Sequence, residues 1–142
     1  MVTTDELRDR AELRDLVEGY ARGADTRDGQ VYADVFTEDA VLHTNRGDVR
    51  GREALLAIPS MLGRYVATMH LVANHHVVFS GADRATGETY CVARHMYERD
   101  GELRVYVMMI RYDDQYARVD GAWKIAERRL NLLWDEDHPV QS

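Results

Sequence analysis

At 142 residues the chain has the length of one domain, since domains of ~100–200 residues are usual, and we expect residues 1–142 to form a single domain. The net charge of -7 argues against nucleic acid and membranes as partners, because anionic polymers and membranes repel a negative surface. The only cysteine, Cys91, cannot form an internal disulfide, and the polar N-terminus shows no secretory pattern, so we expect a cytoplasmic protein.

The first third of the chain predicts helices. Thr3 and Glu6 fit a capping box, and the apolar spacing that follows predicts a helix from about Asp5 to Arg22, ending near Gly23. A second helix is expected over 30–36, a strand over 40–44, and a third helix from Gly51 to about residue 62, shortened or kinked by Pro59. The charged residues of the first helix are expected to face solvent: Arg8, Asp9, Arg10, Glu12, Arg14 and Asp15.

From Thr68 onward the hydrophobic pattern has a period of two. It predicts four strands, over residues 68–79, 85–99, 103–118 and 122–134. The turns Asp100-Gly101 and Asp120-Gly121 are strong hairpin signals. Because long strands in one meander must coil, they make a concave face. We therefore predict an α+β fold in which N-terminal helices close a strongly curved antiparallel sheet, with a small-molecule pocket between the layers.

Three polar residues are expected in that pocket: Asp25 just after the first helix, His70 at the start of the first long strand, and His95 in the next strand. Strict alternation places His70 on one face with Val72, Asn74, His76 and Val78. A histidine beside a carboxylate is a standard general base. The alternative makes Asp25 a turn cap and His70 a hydrogen-bonded strand residue, and the residues alone favour that alternative.

Five segments resemble one family: residues 16–25 (LVEGYARGAD), 32–41 (YADVFTEDAV), 51–54 (GREA), 68–74 (TMHLVAN) and 120–125 (DGAWKI). They are similar to the SnoaL-like branch of the nuclear transport factor 2-like superfamily. This resemblance covers almost the whole chain and implies a cone-shaped α+β barrel. It implies little about the reaction, because the superfamily includes dehydratases, isomerases, cyclases, hydrolases and non-catalytic proteins.

Two enzymes of that family sharpen the expected site. The chain resembles scytalone dehydratase at Asp25, His70 and His95, but the tyrosines and asparagine of that pocket fall at Ala24, Thr44 and Tyr112. It resembles hexachlorocyclohexane dehydrochlorinase at Asp25, His70 and Arg128, but the pocket lysine falls at Tyr20. The resemblance implies that the Asp25–His70 pair carries over, with His95 and Arg128 less securely placed.

Tyr20 and Arg128 complete the candidate catalytic set. Tyr20 lies near Asp25 along the helix and either donates a hydrogen bond to substrate or packs as a core tyrosine. Arg128 and Arg129 alternate across the last strand, so only one should enter the pocket. The resemblance favours Arg128, whereas simple alternation from Trp123 places Arg129 inside unless a bulge intervenes.

Metal and cofactor sites are not expected. The six histidines lack metal-ligand spacing, no Gly-rich phosphate loop is present, and Cys91 reads as a small hydrophobe. The preferred hypothesis is a cofactor-independent lyase or isomerase acting on a small, largely apolar, polycyclic or aromatic-derived molecule. The alternatives are a polyketide cyclase or epoxide hydrolase-type enzyme in the same pocket, or a non-catalytic binding module. The long sheet also predicts a homo-oligomer, a dimer or a trimer.

Overall fold

The computed structural model describes residues 1–141. Helix α1 spans Thr4–Thr26, and the Thr3 hydroxyl accepts a hydrogen bond from the Glu6 backbone nitrogen at 3.1 Å, as the capping box predicts. The predicted end near Gly23 is wrong, because the helix continues for three more residues. Gly23 is needed for packing instead: a Cβ atom there would lie 2.5 Å from the Tyr32 backbone nitrogen.

The remaining helices are short. Helix α2 spans Gly29–Asp34, so the predicted helix over 30–36 ends too late by two residues. The predicted third helix is broken into α3, Arg52–Leu55, and α4, Ile58–Met61, followed by a 3-10 turn at Leu62–Arg64. Pro59 lies in the first turn of α4, where its missing N–H leaves no helical hydrogen bond unmade.

Six strands form one sheet in the order β2-β1-β6-β5-β4-β3. They span Phe36–Thr44 (β1), Gly47–Arg50 (β2), Ala67–Phe79 (β3), Arg84–Arg99 (β4), Glu102–Val119 (β5) and Ala122–Pro139 (β6). The predicted long strands are confirmed to within one residue at each end, except that β6 continues past 134. Strand β1 starts four residues before the predicted position, and its pairing with β6 is parallel, so the sheet is mixed.

The predicted α+β architecture is confirmed: α1 and the short helices cover the concave face of a strongly curved sheet, and the core fills the space between them. Both Asp-Gly turns have positive φ at each residue, which matches the right-handed twist of the flanking strands. Among residues 1–141, no helix is long and apolar enough to cross a membrane.

Part of the charged face of α1 binds the sheet, which corrects the expectation that it faces solvent throughout. The Arg14 guanidinium donates to the Ala73 carbonyl at 2.7 Å, and Asp9 accepts from the Trp123 indole nitrogen at 3.0 Å. Strand β3 is at the edge of the sheet, where backbone groups lack a partner strand. The Arg14 contact holds α1 against that edge and the Asp9 contact holds it against β6, and together they place the end of the helix.

Candidate active site

Asp25 and His70 form a hydrogen-bonded pair between the end of α1 and β3. His70 Nδ1 lies 2.7 Å from Asp25 Oδ1, and the His70 backbone nitrogen donates to Asp25 Oδ2 at 2.8 Å. Asp25 belongs to the last turn of α1 and does not follow the helix as predicted. A carboxylate offers only acceptors, so in the neutral imidazole Nδ1 carries the proton and Nε2 has the lone pair.

The Asp25 carboxylate is held in its ionised form. Burial raises the pKa of Asp25, but hydrogen bonds from the His70 ring and backbone, the charge of His70, and the Thr68 hydroxyl together outweigh burial and place the pKa below its usual value. The carboxylate therefore stays negative near neutral pH, where it can stabilise a positive His70 ring.

His95 lies beside this pair on β4. The ring centroids of His70 and His95 are 5.7 Å apart and nearly perpendicular, and Tyr65 covers His95 at 4.9 Å. Burial lowers the pKa of His95 to about 4, more than the hydrogen bond between Nδ1 and the Tyr106 carbonyl raises it. His95 is therefore neutral at pH 7, and its Nδ1 proton is directed to that carbonyl.

A β-bulge in β3 changes the predicted facing of its second half. Val72 pairs with Cys91 but His75 pairs with Thr89, so β3 has one extra residue at this point. The prediction that His76 shares a face with His70 is wrong, because the bulge turns His75 inward instead. His75 Nε2 lies 2.9 Å from the Tyr116 hydroxyl, while His76 is exposed.

A second bulge decides between the two arginines of β6. Gln115 pairs with Glu127 but Tyr116 pairs with Ile125, so one residue of β6 is extra. Arg128 consequently faces inward and is 1% exposed. Its Nε and Nη2 donate to the Asp114 carboxylate at 2.7 and 3.0 Å. The Thr89 hydroxyl also donates to that carboxylate, at 2.7 Å.

Tyr20 connects the arginine to the histidine pair. The Arg128 guanidinium carbon lies 4.4 Å from the Tyr20 ring centre and 3.9 Å from that of Tyr112. The Tyr20 ring is 6.5 Å from the His70 ring, edge to face. The five predicted residues thus come together around one region of the inner face, with Tyr20 in the middle.

Solvent reaches the pair through a groove of about 340 Å³ between α1 and β3. Glu18, Arg22 and Val72 line it with the pair itself. The side chain of Asp25 is 24% exposed and that of His70 only 9%. The pair is therefore shielded on the sheet side and accessible from this groove.

A family model described as SnoaL-like domain matches residues 5–129. The chain belongs to the SnoaL-like domain family. Other proteins similar to this SnoaL-like domain include an uncharacterized protein of Mycobacterium tuberculosis, 27% identical over 131 residues that cover 90% of this chain and 88% of the relative.

Solved structures share the fold of this SnoaL-like domain. One is a protein assigned as a scytalone dehydratase from Novosphingobium aromaticivorans, 23% identical, with a TM-score of 0.84 over 99% of this chain and 95% of the other. Another is a hexachlorocyclohexane dehydrochlorinase from Novosphingobium barchaimii, 23% identical, with a TM-score of 0.80 over 96% and 92%.

The inner face of the SnoaL-like domain can hold and move a proton. Among residues 1–141, no three His, Cys, Asp or Glu side chains are arranged to hold a metal ion. Burial raises the pKa of the Cys91 thiol to about 12, so this residue stays protonated and packs as a small hydrophobe. The groups suited to chemistry are the histidine pair, the neutral His95 and the buried Arg128.

Sequence reasoning missed two polar residues of this site, Thr68 and Asp114. Thr68 lies two residues before His70, and period-two alternation places both on one face, so the signal was present. Asp114 was hidden by its neighbour Asp113, because one of two adjacent acids on a strand must face inward and nothing local says which.

Proposed function

We propose that this SnoaL-like domain is a cofactor-independent lyase or isomerase of the dehydratase type. The observation that carries the proposal is the 2.7 Å contact between His70 Nδ1 and Asp25 Oδ1, with the ring almost fully buried. In the neutral ring this contact assigns the proton to Nδ1 and orients Nε2 as a general base. Two structural neighbours named as a dehydratase and a dehydrochlorinase agree with an elimination.

In the proposed reaction His70 Nε2 removes a proton from a carbon next to a carbonyl or a leaving group. Asp25 stabilises the imidazolium that forms, because its carboxylate remains ionised. Arg128 and Tyr20 are proposed to polarise the substrate oxygen or receive the leaving group. His95 is proposed to accept a hydrogen bond from the substrate at Nε2, because its one ring proton is directed to the Tyr106 carbonyl. Because Asp114 neutralises the charge of Arg128, the two side chains would act on the substrate together, as a fixed dipole.

The substrate is proposed to be a small, largely apolar ring compound. The rings of Tyr20, Tyr65 and Tyr106 lie beside the two histidines, and Cys91 and Ala93 are buried on the same strand as His95. Aromatic and small apolar neighbours favour a flat, apolar ring at the histidines, although Glu18 and Arg22 line the groove that leads to them.

A hydrolase or cyclase in which Asp25 itself activates water or the substrate is the second candidate, because Asp25 is partly exposed to the groove. Three hydrogen bonds to its carboxylate make Asp25 a weak base, which favours the lyase. The two differ in a measurable way, since a hydrolase carries oxygen from ¹⁸O-labelled water into its product and an elimination does not.

The test uses 3-hydroxy-1-tetralone, which loses water to give 1-naphthol, together with deuterium exchange at the carbon next to the carbonyl. We expect the wild type to accelerate both, and His70→Gln and Asp25→Asn to lose about 10²–10⁴-fold of that acceleration. His76→Gln is the matched control on the same strand. Near wild-type rates in His70→Gln would show that His70 is not the base.

Copies of the chain are proposed to associate through the outer face of the sheet. Leu71, Val92, Met109 and Trp134 are cross-strand neighbours there and form one apolar row. Leu71 and Trp134 are about half exposed, and such a row is usually covered in small domains. Sedimentation should show an oligomer that Trp134→Glu dissociates and Val119→Glu does not. A monomeric wild type would contradict this.

The predicted cytoplasmic location stays a prediction.

A further inference from the structure

The Asp25–His70 pair has a second layer of support that begins at the end of α1. Arg27 caps the helix in the left-handed conformation, with φ of 60°. Left-handed backbone is unfavourable for a residue with a long side chain, and glycine is the usual choice at this place. Among residues 1–141, the other two left-handed residues outside glycine are Asp100 and Asp120, both in Asp-Gly turns. We therefore expect the side chain of Arg27 to make contacts that compensate for its unfavourable backbone conformation.

The Arg27 side chain reaches from the helix to the sheet. Its Nη1 donates to the Ala24 carbonyl at 2.7 Å and to the Thr68 hydroxyl oxygen at 2.7 Å. The first bond satisfies a carbonyl at the helix end. The second joins α1 to β3 across 41 positions of sequence and is not needed to end a helix.

Thr68 transmits this contact to the pair. A hydroxyl has one proton to donate. Because the Thr68 oxygen accepts from Arg27, that proton is directed to Asp25 Oδ1, at 3.0 Å. Asp25 Oδ1 thus receives hydrogen bonds from both Thr68 and His70 Nδ1, and Oδ2 receives the His70 backbone nitrogen. The carboxylate is held at three points, and only the Thr68 contact depends on a side chain outside the pair.

We propose that Thr68 and Arg27 are positioning residues for the general base, holding the Asp25 carboxylate ionised and aligned with His70 Nδ1. This proposal rests on the proposed function of the pair. Each of them acts on the base through Asp25. Arg14, Glu18 and Arg22 also line the groove beside Asp25. Within residues 1–141, however, Thr68 is the one side chain besides His70 with a hydrogen bond to its carboxylate.

The experiment measures the pair directly and needs no substrate. In protein labelled with ¹⁵N-histidine, the proton on His70 Nδ1 should give a far-downfield resonance, assigned by its loss in His70→Gln and Asp25→Asn. The titration of the Asp25 carboxyl group is followed by ¹³C NMR. Thr68→Val removes the hydroxyl at constant shape, Thr68→Ser keeps it, and Arg27→Gly keeps the left-handed backbone while removing the guanidinium.

We expect Thr68→Val to move the Asp25 titration to higher pH and to make the His70 Nδ1 proton exchange with water roughly tenfold faster, as expected for loss of one hydrogen bond to an ionised group. Arg27→Gly should change both in the same direction. Thr68→Ser should match the wild type in both.

Two outcomes would overturn the proposal, and they are distinct. If Thr68→Val and Arg27→Gly change only the stability of the fold while both signals stay as in the wild type, the two residues are structural and the proposed function is untouched. If no downfield resonance in the wild type depends on both His70 and Asp25, the pair is not formed, and the proposed function fails together with this inference.

Discussion

Arg128 and Asp114 form an ion pair inside the sheet in which both side chains are almost fully excluded from water, at 1% and 0% exposure. The pair lies on adjacent strands, directly opposite in register. Thr89 and Tyr116 add two hydroxyl donors to the same carboxylate. A buried charge without its partner is strongly unfavourable, so each of the two residues requires the other for the fold to be stable.

Asp114→Asn should therefore destabilise the protein by about 3–5 kcal/mol, because it leaves the buried Arg128 charge without a counter-ion. Urea unfolding at pH 7 measures this. Asp113→Asn is the matched control, since Asp113 faces solvent on the same strand, and should change the free energy of unfolding by less than about 0.5 kcal/mol. A loss of under about 1 kcal/mol for Asp114→Asn would mean that the arginine charge is not buried as described.

His95 should make stability depend on pH in the mildly acidic range. In the unfolded chain a histidine titrates near ~6.5, while in the fold burial lowers the pKa of His95 to about 4. Between these values the unfolded state binds a proton that the folded state does not. Stability should therefore fall as the pH drops from ~6.5 to about 4, by up to roughly 3 kcal/mol.

His95→Gln should flatten that part of the curve, because glutamine does not titrate. Urea unfolding at half-unit pH steps measures the slope, and His76→Gln, at an exposed position of β3, should leave it unchanged. Equal slopes in the wild type and His95→Gln would show that His95 accepts a proton as readily in the fold as in the unfolded chain.

Asp25 should make the stability of the fold depend on pH in a more acidic range than His95 does. The hydrogen bonds from His70 and Thr68 place the pKa of Asp25 below its usual value despite burial, which opposes them. A depressed carboxyl pKa stabilises the fold above the unfolded value near ~3.9, and this contribution is lost as the pH falls through the folded value. The stability difference between the wild type and Asp25→Asn should thus shrink only below about pH 4. A difference that is constant down to pH 2 would contradict this.

Gly23→Ala should destabilise α1 although it lies in a helix. Helix propensity alone favours alanine over glycine by about 1 kcal/mol, but the new Cβ atom would lie 2.5 Å from the Tyr32 backbone. Backbone cannot move aside as a side chain can, so we expect a net loss of about 2 kcal/mol. Gly63→Ala, where a Cβ atom meets nothing within 4 Å, is the control in thermal unfolding. A gain in stability for Gly23→Ala would mean that α1 and α2 pack less closely.

Much of the architecture was readable along the chain, because local chemistry specifies it. The capping box at Thr3, the period-two pattern after Thr68 and the Asp-Gly turns each act over a few residues, and the structure follows them to within a residue or two except at the end of β6. The end of α1 was predicted wrongly because glycine is common where helices end. Gly23 is present for another reason, the close approach of the Tyr32 backbone, and only the packing of α1 against α2 creates that contact.

Which face of the sheet each side chain occupies was harder to predict than which strands pair. One extra residue in a strand reverses every side chain beyond it, and β3 and β6 each contain such a bulge inside the sheet. The first turns His75 inward and His76 outward, and the second does the same for Arg128 and Arg129. Neither bulge has a local signature such as glycine, since both arise from matching long strands across a curved sheet.

The sequence by itself therefore determined that helices precede a long coiled meander, and its resemblance to the SnoaL-like family indicated an acid and a histidine on the concave side. The tertiary structure alone decided that Asp25 and His70 meet at 2.7 Å. It also decided that Thr68, which accepts a hydrogen bond from Arg27, donates to Asp25, and that Arg128 is buried in an ion pair with Asp114. The physical reason is the range of the forces involved. Turns and caps are settled between near neighbours, whereas a hydrogen bond across 45 positions exists only once α1 has packed against β3.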